Sequence, residues 1–223
     1  MGPRSKQFIF QEDQHGELQF IGDFEGFYQT ENDPWQQSAL DSDMASYYKY
    51  SRKKIADYLN EHKFSRVLEI GCGIGHSTHQ LAKQTEANWN GADISQTAIK
   101  KATINYPKLN FFQMDICQSP NGFLTNNSKF DCIILNQVLW YIMHAMPEVK
   151  FNLLTMLTPN GQAIFSTAFL KEQRYGKKYF LGNNGFTNYI KSNWSDEFAT
   201  CFQEYDSTNT YNYNDGLLCL QRR

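Results

Sequence analysis

A glycine-rich turn and three acidic residues are the parts of this sequence whose types and spacing could do chemistry. Glu69 is followed by glycines at every second position from Gly71 to Gly75. Glycines in such a turn let the backbone fold tightly and let a ligand approach its N–H groups. Asp93 and Asp115 each follow or end a segment that the residue pattern predicts to be a strand. Taken singly, either acid could cap a helix or close a turn, but together with the glycine turn they indicate a ligand site.

The elements that must position these residues are short strands alternating with helices. The strand at 66–70 runs into the glycine turn, and a helix over 76–84 follows it, with Ser77 and Thr78 as candidate cap residues. The pattern predicts further strands at 89–94, 109–114, 130–135, 163–167, 200–205 and 216–221. This alternation predicts an α/β fold with three layers, in which helices cover both faces of a mostly parallel sheet.

The spacing of the glycines separates two classes of ligand. The dinucleotide fingerprint requires a further glycine three positions after its second one, and His76 occupies that position here. An acid directly before the turn, Glu69, would repel a pyrophosphate but suits a ligand that carries an amino group or a sulfonium charge. The pattern therefore disfavours a nicotinamide-dependent oxidoreductase. A glycine turn that binds nothing is the remaining alternative.

The stretch from Val67 to Gly75 resembles the first motif of the class I S-adenosylmethionine-dependent methyltransferases. The resemblance implies that S-adenosylmethionine is the cofactor and that the fold is Rossmann-like, with seven strands in the order 3-2-1-4-5-7-6. It also implies that Asp93 holds the ribose hydroxyls and that Asp115 accepts a hydrogen bond from the adenine amino group, with Ile116 against the ring. The remaining residues that it assigns to the cofactor are Glu69, Gly71, Gly73, Ile94 and Asn136.

A second, weaker resemblance concerns the segment before the first strand. Tyr28, an Asp-Pro turn and Trp35, together with a later Val-Leu-x-Tyr sequence, resemble the methyltransferases related to the nodulation N-methyltransferase. That subfamily implies a small-molecule acceptor such as a sugar or glycan precursor, methylated on oxygen or nitrogen, and makes Trp35 a lid over the cofactor. Gln137 replaces the acid that usually precedes Val-Leu-x-Tyr. A carboxylate would help to hold a cationic amine, so a non-catalytic cofactor-binding scaffold stays open as the alternative function.

The sequence divides into an N-terminal segment with capping helices over 1–62 and a cofactor-binding domain over 63–223. The N-terminal segment carries a hairpin signal at 13–16 and a helical pattern over 42–60. In the family resembled, helices before the first strand commonly cap the site, which would place Tyr28 and Trp35 in the pocket. Anchoring of the N-terminal segment to the surface is an equal alternative for both residues.

Methyl transfer needs a base only when the acceptor is a hydroxyl or a charged amine. His144 and Tyr141 follow the fourth strand on the acceptor side of such a sheet and are the candidate catalytic residues. A histidine on a surface helix is the alternative for His144. His76 is more readily assigned to the start of its helix, and because no third ligand accompanies His76 and His79, no metal site is predicted.

The composition of the chain indicates which kinds of partner and which cellular location are favoured. A net charge of −2 over 223 residues gives no basic field for nucleic acid. Five cysteines without a CxxC pair fit a reducing compartment. No secretory signal is visible, and the longest apolar stretch, 132–143, is too short to cross a bilayer. The sequence thus predicts a soluble, cytoplasmic monomer or homodimer that acts on a small molecule and binds neither nucleic acid nor membrane.

Overall fold

The chain begins with a small hairpin and helices that precede the main sheet. The computed structural model describes residues 5–38, 43–118, 129–209, 211 and 213–223. The first elements are α1 (Ser5–Ile9), β1 (Phe10–Glu12), β2 (Leu18–Phe20), α2 (Phe24–Thr30) and α3 (Asp43–His62). β1 and β2 pair antiparallel across the turn predicted at 13–16. The predicted helix over 42–60 corresponds to α3, although its first predicted residue lies outside the described residues.

Seven strands form the central sheet, and their order agrees with the prediction. They are β3 (Arg66–Ile70), β4 (Asn88–Asp93), β5 (Asn110–Gln113), β6 (Phe130–Asn136), β7 (Leu157–Leu170), β8 (Phe198–Asp206) and β9 (Tyr213–Arg222). They lie in the order β5-β4-β3-β6-β7-β9-β8, which is the predicted 3-2-1-4-5-7-6. β9 pairs antiparallel with both β7 and β8, while the other neighbouring strands are parallel.

Helices cover both faces of the sheet. They are α4 (His76–Ala82), α5 (Gln96–Asn105), α6 (Leu139–Ile142), a 3₁₀ turn (Met143–Ala145), α7 (Met146–Met156) and α8 (Gly182–Asn193). Ile133 and Leu135 of β6 are fully buried in one apolar layer, while Cys132 and Ile134 are fully buried in the other. A strand covered on both faces reads as a continuous apolar run, which is how β6 appears in the sequence. Within the described residues, no helix combines the length and apolarity needed to cross a bilayer.

β7 is longer than the predicted strand at 163–167. It begins at Leu157 and includes an irregular stretch in which Asn160 has a φ of 61°. Beyond that stretch it pairs with β9 from Gln162 to Leu170. This irregular stretch contains residues that are typical of turns. It lies inside β7 and does not mark the start of the strand.

A polar contact fixes α2 against α5. The Glu25 carboxylate accepts hydrogen bonds from the Ser95 and Thr97 hydroxyls and from the Thr97 backbone N–H. Hydrogen bonds from Thr97 above all lower the pKa of Glu25 to about 2, so the contact persists at any pH well above that value. Lys101 donates to the backbone oxygens of Tyr28 and Glu31. These contacts hold α2 close to the end of β4.

Candidate active site

A cavity of about 610 Å³ lies at the carboxyl edge of the central sheet. Residues at and just beyond the ends of β3, β4, β5 and β6 line its floor, and residues of β2, α2 and α3 line the opposite side. Its volume is in the usual range for small-molecule sites, about 300–1,000 Å³. Open α/β sheets bind their ligands at this edge, which makes the cavity the candidate active site.

The glycine turn after β3 forms one wall of the cavity through backbone alone. Gly71 has a φ of +71°, and a Cβ built there would lie 2.2 Å from Cγ1 of Val138. Gly73 has a φ of +54°, and a Cβ there would lie 2.5 Å from the Tyr28 hydroxyl. Both positions combine a left-handed backbone with a close neighbour, so glycine is required at each. Gly71 lines the cavity, whereas Gly73 lies beneath Tyr28.

Asp93 lies at the end of β4 and lines the cavity although it is only 6% exposed. Its two carboxylate oxygens accept hydrogen bonds from the backbone N–H groups of Gly73, at 2.8 Å, and Ser95, at 2.9 Å. Burial raises the pKa of Asp93 to about 6, against the opposing effect of these two hydrogen bonds. The carboxyl group is therefore held rigidly, is largely ionised at neutral pH, and keeps lone pairs for a ligand.

Asp115 and Ile116 line the cavity just beyond the end of β5. Asp115 accepts a hydrogen bond from the backbone N–H of Cys117 at 2.9 Å. The buried side chain of Asn152, on α7, donates to the backbone oxygens of Ile116 and Gln118, each at 2.7 Å. This amide fixes the loop that presents Asp115 and Ile116.

Glu69 is nearly fully buried at 1% exposure and lies behind the cavity rather than on its surface. It accepts hydrogen bonds from the Thr78 hydroxyl at 2.6 Å and from the Asn136 amide at 3.0 Å. Asn136, at the end of β6, also donates to the Ser77 hydroxyl at 2.9 Å and itself lines the cavity. Ser77 and Thr78 are therefore not helix caps as predicted, because Gly75 precedes α4 and makes no side-chain cap bond.

Aromatic residues before α3 cover the glycine turn. Tyr28 and Trp35 both line the cavity and pack in one apolar cluster with Ile74 and Ala98. The Trp35 ring also packs 5.3 Å from Phe27 and 5.8 Å from Tyr141, measured between ring centroids. Of the two interpretations left open by the sequence, the position of Tyr28 and Trp35 agrees with lining the pocket.

Comparison with known proteins identifies the family. A family model described as a methyltransferase domain matches residues 61–204. The chain belongs to this methyltransferase family. The match spans the glycine turn and the ends of β4, β5 and β6, which are the parts of the chain that form the cavity floor. The predictions of a class I methyltransferase and of S-adenosylmethionine as the cofactor are confirmed.

Curated relatives of this methyltransferase include ubiquinone biosynthesis O-methyltransferases. The protein of that name from Rickettsia canadensis is 32% identical over 133 residues, which cover 60% of this chain and 53% of the relative. Its counterpart from Rickettsia felis is 30% identical over 133 residues, 60% of this chain and 52% of the relative. The match thus spans about half the length of these relatives.

Solved structures of other methyltransferases share the fold. The N-methyltransferase NodS from Bradyrhizobium japonicum, in complex with S-adenosyl-L-homocysteine, superposes with a TM-score of 0.66 at 17% identity, covering 89% of this chain and 97% of NodS. Magnesium protoporphyrin IX methyltransferase from Synechocystis, with bound S-adenosylmethionine, gives a TM-score of 0.66 at 18% identity, with 89% and 95% covered. At these identities the similarity establishes the fold.

The residues at the cavity floor fit an adenosyl sulfonium ligand. Gly71, in a left-handed conformation, presents its backbone to the cavity with no side chain of its own. Two carboxylates, Asp93 and Asp115, lie at or just beyond successive strand ends and offer acceptors to hydroxyl and amino groups of a ligand. A third acid, Glu69, lies behind the turn. A cationic ligand with hydroxyl and amino donors matches this set of acceptors.

The candidate catalytic residues line the same cavity in different settings. Tyr141 packs among aromatic rings, and burial raises the pKa of its phenol. Such a phenol stays protonated at neutral pH, so it can donate a hydrogen bond but is a poor base. His144 is exposed on the 3₁₀ turn, with its ring 5.6 Å from Phe20. The cavity thus brings both residues to one side, with His144 at its rim.

Two residues near the cavity that the sequence did not single out are Tyr47 and Asp215. Tyr47 lines the cavity and donates a hydrogen bond to the buried Asp215 at 2.8 Å. They lie 168 positions apart in the chain, and neither belongs to a recognisable motif. Only the packing of α3 across β9 brings them together, so no local pattern could have indicated the pair.

Proposed function

We propose that the protein transfers the methyl group of S-adenosylmethionine to an oxygen or nitrogen atom of a neutral, flat small molecule. The proposal rests on the part of the cavity that the candidate cofactor residues do not line, which we call the aromatic half. Apolar and aromatic side chains dominate it: Phe20, Phe24, Met44, Tyr47, Tyr48, Trp140, Tyr141, Leu170 and Tyr213. Among the described lining residues, the only acidic or basic side chains besides His144 are Asp93 and Asp115 on the floor.

Each floor residue has a proposed role toward the cofactor. Asp93, with Ile94 beside it, would hold the ribose. Asp115 and Ile116 would hold the adenine, and Asn136 and the backbone of Gly71 would contact the methionine part. Glu69 lies behind them and Gly73 beneath Tyr28, so these two would support the turn without lining the cavity. Trp35 would lie over the cofactor as a lid, packed in the apolar cluster that contains Tyr28.

The cofactor supplies a methyl group already activated by a positively charged sulfur. The remaining work of the protein is to align the acceptor, exclude water and remove a proton where the acceptor is neutral. The aromatic half suits a planar acceptor, since rings stack favourably on aromatic side chains. Tyr141 would donate a hydrogen bond to the acceptor, and His144 at the rim would contact its outer end.

The acceptor is proposed to be neutral because of Gln137. Its side-chain amide accepts from the backbone N–H of Ala168 at 2.9 Å and donates to the hydroxyls of Tyr47 and Ser51. A protonated sugar amine would find no carboxylate at this position, and burying an unpaired cation is costly. The relatives described as O-methyltransferases also support an oxygen acceptor.

Three acceptors test this proposal in one assay that measures formation of S-adenosylhomocysteine. Catechol is a neutral phenol, aniline a neutral aromatic amine, and glucosamine a protonated amino sugar. We expect turnover with catechol or aniline and none above background with glucosamine, because only the neutral rings match the aromatic half. Turnover with glucosamine alone would contradict a neutral acceptor, and turnover with none would contradict the proposed acceptor class.

The pH dependence of cofactor binding provides a second prediction. With a pKa of about 6, Asp93 becomes protonated as the pH falls below that value. Protonation removes its charge-assisted hydrogen bonds, so affinity for S-adenosylhomocysteine should fall by up to about tenfold per pH unit below the pKa. Calorimetry between about pH 8 and about pH 5 measures this, and Asp93→Asn should flatten the profile. An identical slope in both proteins would show that another group is responsible.

We further propose a cytoplasmic monomer or homodimer that acts on a free small molecule and not on nucleic acid or at a membrane. The low net charge of −2 supports this, because a nucleic-acid enzyme needs a basic surface. Light scattering coupled to size exclusion measures the oligomeric state directly.

A further inference from the structure

A buried acid lies directly behind the aromatic half of the cavity. Asp215, on β9, is 1% exposed, and so is Tyr47, on α3. The Tyr47 hydroxyl donates to Oδ1 of Asp215 at 2.8 Å and receives a hydrogen bond from the Gln137 amide at 3.2 Å. Tyr47 and Gln137 line the cavity, whereas Asp215 does not. The tyrosine therefore stands between the cavity and the carboxylate.

On the side away from Tyr47, the Asp215 carboxylate pairs with a lysine that also binds an acid at the surface. Lys54 lies 3.3 Å from Oδ2 of Asp215 and also pairs with Glu204, whose side chain is 44% exposed. Burial raises the pKa of Asp215, while Tyr47 and Lys54 oppose that effect. A buried carboxylate with a raised pKa binds a proton more readily than an exposed one.

The hydrogen bond between Tyr47 and Asp215 is not needed merely to anchor α3 to the sheet, because other tyrosines of that helix do so. Tyr50 on the same helix hydrogen-bonds to Asp206, and Tyr58 hydrogen-bonds to Gln162 at 2.7 Å. Neither tyrosine lines the cavity. Tyr47 differs from both because it faces the acceptor half and has a deeply buried acid behind it.

We propose that Tyr47 and Asp215 form a proton relay that takes the proton from the methyl acceptor, an inference that rests on the proposed function. The O–H bond of the acceptor breaks, and its proton bonds to the Tyr47 hydroxyl oxygen while the proton of Tyr47 moves to Oδ1 of Asp215. The electron pair of the broken bond stays on the acceptor oxygen, so one negative charge moves from Asp215 to the acceptor. Tyr47 ends as a neutral phenol, as it began.

The hydrogen-bonding capacity of Tyr47 permits this transfer. The phenol oxygen donates to Asp215 and has two lone pairs; the Gln137 amide occupies one at 3.2 Å, which leaves the other for the O–H of the acceptor. Its proton already points to Asp215, so the relay needs no rotation of the hydroxyl. Once the product has left, Asp215 returns its proton through Tyr47 to solvent that enters the cavity, and the Lys54 ammonium 3.3 Å from Oδ2 favours the ionised carboxylate.

The test compares two phenols in variants that keep the shape of the site. Tyr47→Phe removes the hydroxyl, and Asp215→Asn keeps a hydrogen-bond acceptor but cannot take a proton. Catechol is protonated at neutral pH, whereas 4-nitrocatechol ionises near neutral pH and needs no base. We expect kcat with catechol to fall about 100-fold or more in both variants and kcat with 4-nitrocatechol to change less than about tenfold.

Tyr58→Phe is the matched control, because it removes an equally anchored hydroxyl from α3 outside the cavity. It should leave both activities unchanged. Affinity for S-adenosylhomocysteine, measured by calorimetry without turnover, should be the same in all the proteins.

Four outcomes of these measurements decide whether Tyr47 and Asp215 form a proton relay. Loss of catechol turnover alone supports the relay. Unchanged catechol turnover in Tyr47→Phe overturns it, and so does an equal loss with both phenols, which would indicate a structural role. If the wild-type protein methylates neither phenol, the relay is overturned, and turnover with aniline in the same assay would show that the proposed function stands without it.

Discussion

Replacing Asp93 with alanine is expected to weaken binding of S-adenosylmethionine by about 10- to 150-fold. The structure holds both carboxylate oxygens against backbone N–H groups at the edge of the cavity, so the group is pre-positioned for the ribose hydroxyls. Hydrogen bonds to a charged group contribute about 1.5–3 kcal/mol. Calorimetric titration with S-adenosylhomocysteine measures the change without requiring an acceptor.

Asp131→Ala is the matched control for that variant. The Asp131 carboxylate also accepts two backbone N–H hydrogen bonds, from Ser65 at 2.7 Å and Arg66 at 2.8 Å. It lies at the start of β6, at the opposite edge of the sheet from the cavity. Asp131→Ala should lower stability but keep the affinity. Equal affinities in Asp93→Ala and the wild-type protein would remove the proposed ribose site.

Gly71→Ala should lower stability and abolish detectable cofactor binding. A left-handed backbone costs an alanine about 1–2 kcal/mol, and at Gly71 the added Cβ would also lie 2.2 Å from Val138. Overpacking of this kind costs typically about 1–3 kcal/mol more. Relief of the overlap must displace the turn that lines the cavity, which is why binding is lost together with stability.

Gly16→Ala separates backbone strain from steric overlap. Gly16 has a φ of +77°, but a Cβ there would meet nothing within 4 Å. Thermal unfolding should therefore show a decrease of about 2–8 °C for Gly16→Ala, a larger decrease for Gly71→Ala, and intact cofactor affinity only in the former. If the two variants showed the same decrease in melting temperature and the same cofactor affinity, the turn at Gly71 would accommodate a Cβ without cost.

The strands of the sheet and the floor of the cavity follow from local sequence. An apolar strand, a glycine turn and a helix start are adjacent in the chain, so their pattern survives in the sequence of Val67 to His76. Asp93 and Asp115 could be predicted for the same reason, because a strand end fixes where its last residue lies. The family resemblance supplied the strand order, which periodicity does not contain.

The aromatic half of the cavity could be predicted only in part, through Tyr141 and His144, because distant segments build it. Tyr47 and Asp215 meet across 168 positions, and Glu25 meets Thr97 across 72. Such contacts depend on how α2 and α3 pack on the sheet, and helix packing leaves little trace in a local pattern. Ser77 and Thr78 illustrate the same point, since buried partners on β3 and β6 displaced the local capping role that their position suggests.

A crystal structure of the protein with S-adenosylhomocysteine is the most direct test of the central claim that one cavity holds cofactor and acceptor in two separate halves. We expect the ribose at Asp93, the adenine at Asp115 and Ile116, and the sulfur facing the open aromatic half beside Tyr47. A ligand that fills the aromatic half, or that binds away from Asp93, would contradict it.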